Sequence, residues 1–470
     1  MKTKIMFKSI FVMCVAGMLA ISSCEDFITI PGPNTQLSSS IVFADDETAQ
    51  SALASIYLKL SENIQGFASG SHYSVTVFEG LYADELTSYL TPASQNYNFY
   101  FNNVTPVNAI VSSAWSNCYK IIYECNRIIE GAKASTNITT TLKSQLIGEA
   151  TFIRAFCHFY LVNLFGDVPL ITTSDYAVSA KVSRMPVLNV YEKIISDLLD
   201  AKELLSDVYP SDGRVRINKG AATALLARAY LFIQNFEAAE TQATEVINKG
   251  SQYKLQSDLD KVFLKTSEEA IWQLLPQGGL IAYTYEGSVF LLKAQPTSYA
   301  LRNSLYAAFE PTDLRKTDWI DSVTSDSGLT TWYFVHKYKE NHLNSTGSEY
   351  SMVLRLAEQY LIRAEARAKQ NNLIGSNSSE SDINAIRTRA GLPNTTAASQ
   401  QELLLAVEHE RRVELFTEWG HRFFDLKRTG RLDAVLDPVK PNWESTDALL
   451  PLPQNEMLLN SNLKPQNPGY

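Results

Sequence analysis

The sequence predicts a mostly α-helical protein in which pairs of helices form a scaffold and an irregular, loop-rich part binds a ligand. Over most of its 470 residues the chain repeats apolar side chains every three or four positions, which is typical of amphipathic helices. Two stretches, 66–103 and 251–349, lack this period and are rich in aromatic and small polar residues. Because binding residues usually lie on loops held by a rigid support, we predict that these two irregular regions carry the ligand site.

The stretch 218–250 predicts two antiparallel helices that pack on each other. Asn218 is suited to cap the first helix, whose apolar residues recur at every fourth position: Ala221, Leu225, Ala229 and Ile233. Gln234 and Asn235 interrupt the pattern, and Gly250 is placed to end the second helix. The spacing of small and aromatic residues resembles a tetratricopeptide repeat, and an ordinary helical hairpin is the alternative. In either case the pair needs neighbouring helices to bury its faces.

The N-terminus has the pattern of an exported lipoprotein. Three lysines precede a short apolar run, and small residues stand directly before Cys24. We therefore predict a lipoprotein signal peptide at 1–23, lipidation of Cys24, and a lipidated tether over 24–44. An ordinary signal peptide with an incidental cysteine is the alternative. No later stretch is long and apolar enough to predict a transmembrane helix, so the lipid would be the only anchor.

Residues 45–470 are predicted to form a single domain. Its helical scaffold is expected at about 45–65, 104–250 and 350–430, with the two irregular regions between these segments. The last strong helix is predicted over 401–419. Residues 431–470 form a C-terminal tail, whose Pro- and Asn-rich end is expected to pack in an extended conformation.

Charge and cysteine content exclude several classes of protein. Fifty acidic residues against 41 basic ones give a net charge of −9, whereas nucleic-acid binding requires clustered Lys and Arg. Beyond Cys24 the cysteines are Cys118, Cys125 and Cys157, each within an apolar helical pattern. An odd number without CxxC spacing argues against a disulfide framework or a zinc site. We expect these three to be buried as small hydrophobic residues.

No stretch of the sequence carries a catalytic signature. HExxH, GxSxG, Walker and GxGxxG motifs are missing, and the six histidines show no metal-ligand spacing. The sequence therefore predicts a protein that is not an enzyme, with no catalytic residue and no metal site. The charges near 408–425 are interpreted as a structural network, in which Glu408 attracts Arg412 and Glu414 repels Glu418 at helical spacing.

The aromatic residues of the irregular regions are the candidate ligand-binding residues. Aromatic faces stack on the flat C–H patches of sugar rings, while neighbouring polar groups bind the hydroxyls. The candidates are Tyr82, Tyr97, Asn98, Tyr100, Trp272, Tyr283, Tyr285, Trp319 and Trp332. Asp84 and Glu85 lie close to Tyr82 and could bind a hydroxyl or a cation. For each ring the alternative is packing in the core beneath a long loop.

Several motifs, in order along most of the chain, resemble those of the SusD/RagB family. They are CEDF at 24–27, EATFIRA at 149–155, LFGDVPL at 164–170, KGAA at 219–222, LIRAEA at 361–366, RAGLP at 389–393, ERRVEL at 410–415, GHR at 420–422 and QNPGY at 466–470. Each motif alone is modest, but together they are specific. The matching motifs belong to the scaffold, so the resemblance carries no ligand-binding residue to this chain.

The resemblance implies a SusD-like fold with four tetratricopeptide-like helix pairs, in a lipoprotein anchored on the outer membrane at the cell surface. Such a protein takes part in nutrient uptake: it binds an oligosaccharide or polysaccharide and delivers it to a SusC-like TonB-dependent transporter. The resemblance implies no cofactor and no nucleic-acid partner; Ca²⁺ could take part, although no motif supports it. An oligopeptide ligand, a surface enzyme and a structural assembly lipoprotein are the alternatives.

Overall fold

A computed structural model describes residues 39–62 and 64–470, and helices predominate among them, as the sequence predicts. The predicted signal peptide, Cys24 and most of the predicted tether lie outside the described residues. The helices are α1 (Ser39–Val42), α2 (Asp46–Glu62), α3 (Val75–Tyr82), α4 (Gln95–Tyr100), α5 (Ala109–Ala134), α6 (Thr140–Phe165), α7 (Tyr176–Ser179), α8 (Val187–Leu204), α9 (Lys219–Phe232), α10 (Phe236–Ile247), α11 (Tyr285–Phe290), α12 (Asn303–Tyr306), α13 (Leu314–Asp318), α14 (Leu356–Lys369), α15 (Ser379–Arg389), α16 (Gln400–Glu414), α17 (His421–Arg428), α18 (Leu432–Leu436) and α19 (Gln454–Leu459).

The strands are short and pair in four separate antiparallel ladders: β1 with β5, β2 with β3, β4 with β8, and β6 with β7. Their bounds are β1 (Leu86–Ser88), β2 (Val168–Pro169), β3 (Arg184–Met185), β4 (Ala270–Leu274), β5 (Tyr299–Leu301), β6 (Ile320–Thr324), β7 (Thr331–Val335) and β8 (Ser351–Arg355).

The long helices pack side by side. α5 lies on α6, α6 on α8, α8 on α9, α9 on α10, α10 on α14, and α14 on both α15 and α16. Helices within such a stack are covered on several sides, which explains why every residue of α6 from 148 to 165 is buried. This arrangement confirms the predicted scaffold of helix pairs.

The predicted pair at 218–250 consists of α9 and α10. Asn218 caps α9 by accepting a hydrogen bond from the Ala221 N–H at 2.9 Å, as predicted. Gln234 has a left-handed backbone at the break between the helices, with φ of 60°. The expectation that Gly250 ends α10 is wrong. Asn248 is the C-cap, because its N–H already bonds two carbonyls of the last turn.

The irregular regions and the tail contain more regular structure than predicted. The first region contains α3 and α4, and the second contains α11 to α13 and β4 to β7. The helix predicted at 401–419 ends earlier, at Glu414, because the following turn places Thr417 and Trp419 at φ of 50°. The tail is not fully extended, since it includes α18 and α19. Elements this short hold too few residues to show a period.

The tail packs against the end of α6. The Leu450 N–H donates to the Leu164 carbonyl at 2.8 Å, and the Asn467 amide donates to the Phe165 carbonyl at 2.9 Å. The three cysteines expected in the core are buried and free: Cys118, Cys125 and Cys157. In the described part of the chain, none of the helices has the length and hydropathy needed to cross a membrane.

Candidate functional site

Three of the predicted ligand-binding rings lie in the core. Tyr82, Trp272 and Trp319 each have 0% of their surface exposed. Trp272 packs edge-on against Phe152 and Phe156, with ring centroids 5.4 and 5.1 Å away. Trp319 donates its indole N–H to a backbone carbonyl at 3.1 Å. Protein covers the faces of all three rings, which corrects the prediction and removes them from the candidate site.

Asp84 and Glu85 are also occupied within the protein. Asp84 accepts hydrogen bonds from Arg412 and Arg422, each at 2.8 Å. Burial alone would raise the pKa of Asp84, but the two guanidinium groups hold this pKa below its ordinary value. Glu85 accepts from the Thr417 N–H at 3.2 Å, and burial next to Asp84 raises its pKa to about 8. Since both carboxyl groups are buried and bonded, the prediction that they bind a hydroxyl or a cation is corrected.

The charged end of α16 takes part in a buried ion-pair network. Arg355 bonds Glu414 at 2.6 Å and Glu418 at 2.8 Å, so the two like charges share one guanidinium. The predicted attraction of Glu408 for Arg412 is present, although the ion pairs of both residues are with other partners. Glu408 pairs with two other arginines, and Arg412 pairs with Asp84 in the loop after α3. The network links helices and strands of the scaffold, which supports its interpretation as structural.

The exposed rings of the irregular regions lie together where three strands meet. β1 pairs with β5, and β5 lies against β7. Tyr89 directly follows β1, and its N–H donates to the Ser298 carbonyl just before β5 at 2.8 Å. Trp332 and Tyr333 lie in β7, and α12 after β5 ends at Tyr306. The name aromatic face is used below for the surface formed by Tyr89, Tyr100 and Trp332.

Tyr89 lies close to the other two rings of the aromatic face, Trp332 and Tyr100. Partial burial raises the pKa of Tyr89, and the nearby Tyr100 raises it further. The indole N–H of Trp332, which donates to the Tyr89 hydroxyl, acts in the opposite direction and lowers this pKa. Tyr89 still has 39% of its surface exposed. The Arg302 guanidinium lies over the Tyr100 ring, 5.3 Å from the centroid. These rings are therefore held in place and remain accessible.

Tyr306 and Tyr333 form a stacked pair outside the aromatic face, because Tyr333 directly follows Trp332 in β7 and successive side chains of a strand point to opposite sides. Their ring centroids are 3.6 Å apart and their planes differ by 10°. The ammonium of Lys316 lies 4.2 Å from the Tyr306 centroid. Both tyrosines are half-buried, so the stack is anchored to the protein while part of it faces solvent.

Two more predicted residues, Tyr97 and Asn98, border the aromatic face through Tyr100. All three lie in α4 and are half-buried. The Tyr97 ring packs on Phe101 at a centroid distance of 4.4 Å. Phe101 in turn meets the Tyr100 ring edge-on at 4.9 Å. The structure thus places these residues beside the site.

Tyr283 and Tyr285 lie at the start of α11 and are half-buried. The Tyr283 ring lies 6.3 Å from the His342 ring, and the Tyr285 hydroxyl accepts a hydrogen bond from Gln277. These contacts are with a turn and a loop of the second irregular region rather than with the rings of the aromatic face. The structure does not bring these two predicted residues into the candidate site.

Polar side chains border the aromatic face. Exposed or half-buried ones are Ser88, Ser298, Arg302, Asn303 and Ser322. Flat rings beside hydroxyl, amide and guanidinium groups suit a ligand that has both flat C–H patches and hydroxyls. Among the residues that the structure describes, no group of three or more His, Cys, Asp or Glu could hold a metal ion.

Among the rings of the aromatic face, sequence reasoning selects Trp332 and Tyr100 as candidates but misses Tyr89. A usable signal exists for the hairpin of β6 and β7, because two β-prone runs flank a turn that contains Gly328. No local signal exists for Tyr89. Its position depends on the pairing of β1 with β5, which joins residues far apart in sequence.

Two family models match the chain in turn. The one described as "Starch-binding associating with outer membrane" matches residues 39–231, and the one described as "SusD family" matches residues 312–470. A curated relative, SusD-like protein P2 of Formosa agariphila, is 31% identical over 418 residues, covering 77% of this chain and 81% of the relative.

Solved structures share the fold. A SusD superfamily protein from Bacteroides vulgatus superposes with a TM-score of 0.80 at 20% identity, covering 91% of this chain and 100% of its own. A laminarin-binding SusD-like protein gives a TM-score of 0.75 at 24% identity, with 91% and 100% covered. The ordered motifs, the stacked helix pairs and these matches lead to one conclusion: the chain belongs to the SusD/RagB family.

Proposed function

We propose that this chain is a cell-surface lipoprotein that captures an oligosaccharide or polysaccharide and delivers it to a SusC-like TonB-dependent transporter. The aromatic face carries the proposal. It gathers three rings, Tyr89, Tyr100 and Trp332, at one solvent-facing site, and hydroxyl, amide and guanidinium groups border it. Sugar rings stack on such surfaces through their C–H faces while their hydroxyls bond the polar border.

The position of the rings supports capture rather than core packing. Tyr89 is substantially exposed, and Tyr100 and Trp332 are only half-buried. Grouped aromatic rings that remain in contact with water commonly mark a binding surface. The strand pairing and the guanidinium over Tyr100 hold them before any ligand arrives. Preformed geometry reduces the entropy that binding costs.

The relatives suggest which ligands to try first. One solved neighbour is described as laminarin-binding, and one matching family model is described as starch-binding. Both ligands are neutral glucans, which agrees with a site bordered mainly by uncharged hydroxyl and amide groups. The proposed mechanism is binding followed by transfer to the transporter, with no bond broken in the ligand.

Calorimetric titration of the chain from Glu25 onward, without the predicted signal peptide and lipidated residue, tests the proposed ligand class. The panel contains laminarihexaose, maltohexaose, xylohexaose and a mixed-sequence hexapeptide library. We expect saturable heat with at least one oligosaccharide. Binding of the peptides alone would replace the glycan with an oligopeptide. Release of shorter sugars during prolonged incubation would instead indicate an enzyme.

Cell fractionation tests the proposed anchor and partner. In the native host the full-length protein is expected in the outer membrane, accessible to added protease, and a TonB-dependent transporter should co-purify with it. Cys24→Ala should abolish the anchoring. If Cys24→Ala stays anchored and exposed, the lipoprotein part of the proposal is wrong.

A further inference from the structure

A second, strongly polar groove lies between the loop 102–106 and the segment 441–447. Its cavity volume is about 610 Å³, which is large enough for a small organic ligand. Its polar lining consists of Asn102, Asn103, Thr105, Asn442, Glu444, Asp447 and Tyr470. The name Asn102 groove is used for it below.

The walls of the Asn102 groove are held together by hydrogen bonds to backbone carbonyls. The Asn442 amide donates to the Phe101 carbonyl at 2.9 Å, and the Lys440 ammonium donates to the Tyr100 carbonyl at 2.6 Å. On the far side of the loop, the Gln454 N–H donates to the Pro106 carbonyl at 2.9 Å. The groove is therefore a preformed feature, so a ligand would not have to order it.

Asn102 has an amide that the protein leaves unused. The residue is only 6% exposed, yet among the described residues neither its amide nitrogen nor its amide oxygen has a hydrogen-bond partner. A buried polar group without a partner costs about 1–3 kcal/mol, so native proteins seldom retain one without a reason. Asn102 lines the groove, and both amide atoms have almost no exposed surface, so a turn of the side chain towards the groove would let a ligand or a water molecule supply the missing bonds.

The charge of the lining restricts the ligand. Glu444 and Asp447 are acidic, and no Lys, Arg or His occurs among the described residues that line the groove. Among the charged side chains of the groove, an anion would therefore meet only carboxyl groups. Burial raises the pKa of Asp447 to about 6, so this carboxyl can donate in mild acid and accept above it.

We infer that the Asn102 groove is a second carbohydrate-binding site, separate from the aromatic face and suited to a neutral ligand with adjacent hydroxyl groups. The Asn102 amide offers one donor side and one acceptor side, which matches two neighbouring hydroxyls acting as acceptor and donor. Asn103, Thr105 and Asn442 offer further neutral polar groups at the rim. The inference goes beyond the proposed function, because binding here does not require the aromatic face.

Hydrogen–deuterium exchange of the chain from Glu25 onward, with millimolar laminarihexaose, maltohexaose or xylohexaose as probes, tests the inference. We expect slower exchange in the peptides that span 101–106 and 441–447. The same protection should persist in Trp332→Ala, which removes a ring of the aromatic face. If the sugars protect the groove but not the aromatic face, the result counts against the proposed function and still supports a binding site in the groove.

Two asparagines make a matched pair for this experiment. Asn102 and Asn371 both have left-handed backbones, with φ of 52° and 64°, a region that glycine adopts without strain. Asn102→Gly should raise the probe concentration for half-protection by at least about tenfold, equivalent to one good hydrogen bond. Asn371→Gly should behave as the unaltered protein. Thr105→Val, a nearly isosteric change at the exposed rim, gives a second test if Asn102→Gly folds poorly.

Three results would overturn the inference. The first is no protection at the groove with any of the three probes. The second is protection by Ca²⁺ alone that the sugars do not reproduce, which would make the groove a cation site. The third is equal protection in Asn102→Gly and Asn371→Gly, which would mean that an ordered water satisfies the Asn102 amide.

Discussion

The hairpin of β6 and β7 has one tryptophan at its base, where the ring is buried, and another in its outer part, where the ring is partly exposed. Trp319 directly precedes β6, is fully buried, and lies over the guanidinium of Arg355 and the ammonium of Lys337, at 5.8 and 5.0 Å. Trp332, in β7, is half-buried and contributes to the aromatic face. The base of the hairpin is therefore buried over the ion-pair network, whereas its outer part leaves Trp332 partly exposed to solvent.

Aromatic composition alone therefore does not locate a binding surface. Both tryptophans occur in the same irregular region and are equally good candidates from the sequence. Their roles diverge because the base of the hairpin packs on the charged side chains of Arg355 and Lys337, whereas the outer part retains exposed surface. The account therefore predicts large stability effects at the base and small stability effects at the aromatic face.

Trp319→Ala should have the largest effect on stability. It removes a fully buried ring and its hydrogen bond, so the free energy of unfolding should fall by about 3–5 kcal/mol. Urea denaturation monitored by circular dichroism measures the change, with Trp332→Ala as the matched control. If the two variants lose the same stability, the distinction between base and outer part fails.

Arg355→Met tests the ion-pair network beneath Trp319. Arg355 bonds Glu269, Glu414 and Glu418 at 2.6–2.8 Å in a fully buried setting. Losing the cation leaves buried carboxylates uncompensated, and we expect a loss of about 3–5 kcal/mol in urea denaturation. Lys254→Met removes the exposed partner of Glu268 and should have little effect. Equal stability of Arg355→Met and the unaltered protein would contradict a structural role for the network.

His158→Phe tests whether burial in the scaffold core keeps the His158 imidazole neutral. His158 is buried in α6, and burial lowers its pKa to about 4, although Asp197 opposes the shift. Because the unfolded pKa is about 6.5, the stability associated with neutral His158 is present above pH 6.5 and is lost as pH falls towards 4, by about 3 kcal/mol. His158→Phe should lose less stability over that range in urea titrations at pH 7, 5.5 and 4.5. Parallel pH profiles for the two proteins would show that His158 is not held neutral.

The Tyr306–Tyr333 stack, which lies on the side of β7 opposite to Trp332, should give the smallest effect on stability. A double-mutant cycle of Tyr306→Ala and Tyr333→Ala is expected to give a coupling energy of about 0.5–1.5 kcal/mol, as measured for aromatic pairs. Thermal and urea unfolding of the four proteins provide the values. Strict additivity would mean that the two rings are not in contact in solution.

The scaffold could be predicted from the sequence because its signals are local. The 3.6-residue period and the cap at Asn218 lie within single helices, and the structure confirms both. The short elements α3, α4 and α17 were missed, since few residues in each carry a period. The ends of α10 and α16 were misplaced, because a C-cap at Asn248 and a turn at Thr417 decide them.

The site was predicted only in part. Tyr100 and Trp332 retain exposed surface, as a binding role requires, whereas Trp272 is buried against Phe152 of α6 and Trp319 against Arg355 of β8. Tyr89 joins the aromatic face only through the antiparallel pairing of β1 with β5. Such long-range packing cannot be deduced from residue type or spacing.

The central claim is that the aromatic face binds the captured glycan. Its most direct test is calorimetric titration of three proteins with the panel oligosaccharide that binds most tightly: the chain from Glu25 onward, Trp332→Ala, and Tyr176→Ala. Tyr176 is a suitable control because it is 79% exposed but lies outside the aromatic face. The account predicts that Trp332→Ala weakens binding by about tenfold or more while Tyr176→Ala leaves it unchanged. Equal affinities of all three proteins would contradict the account.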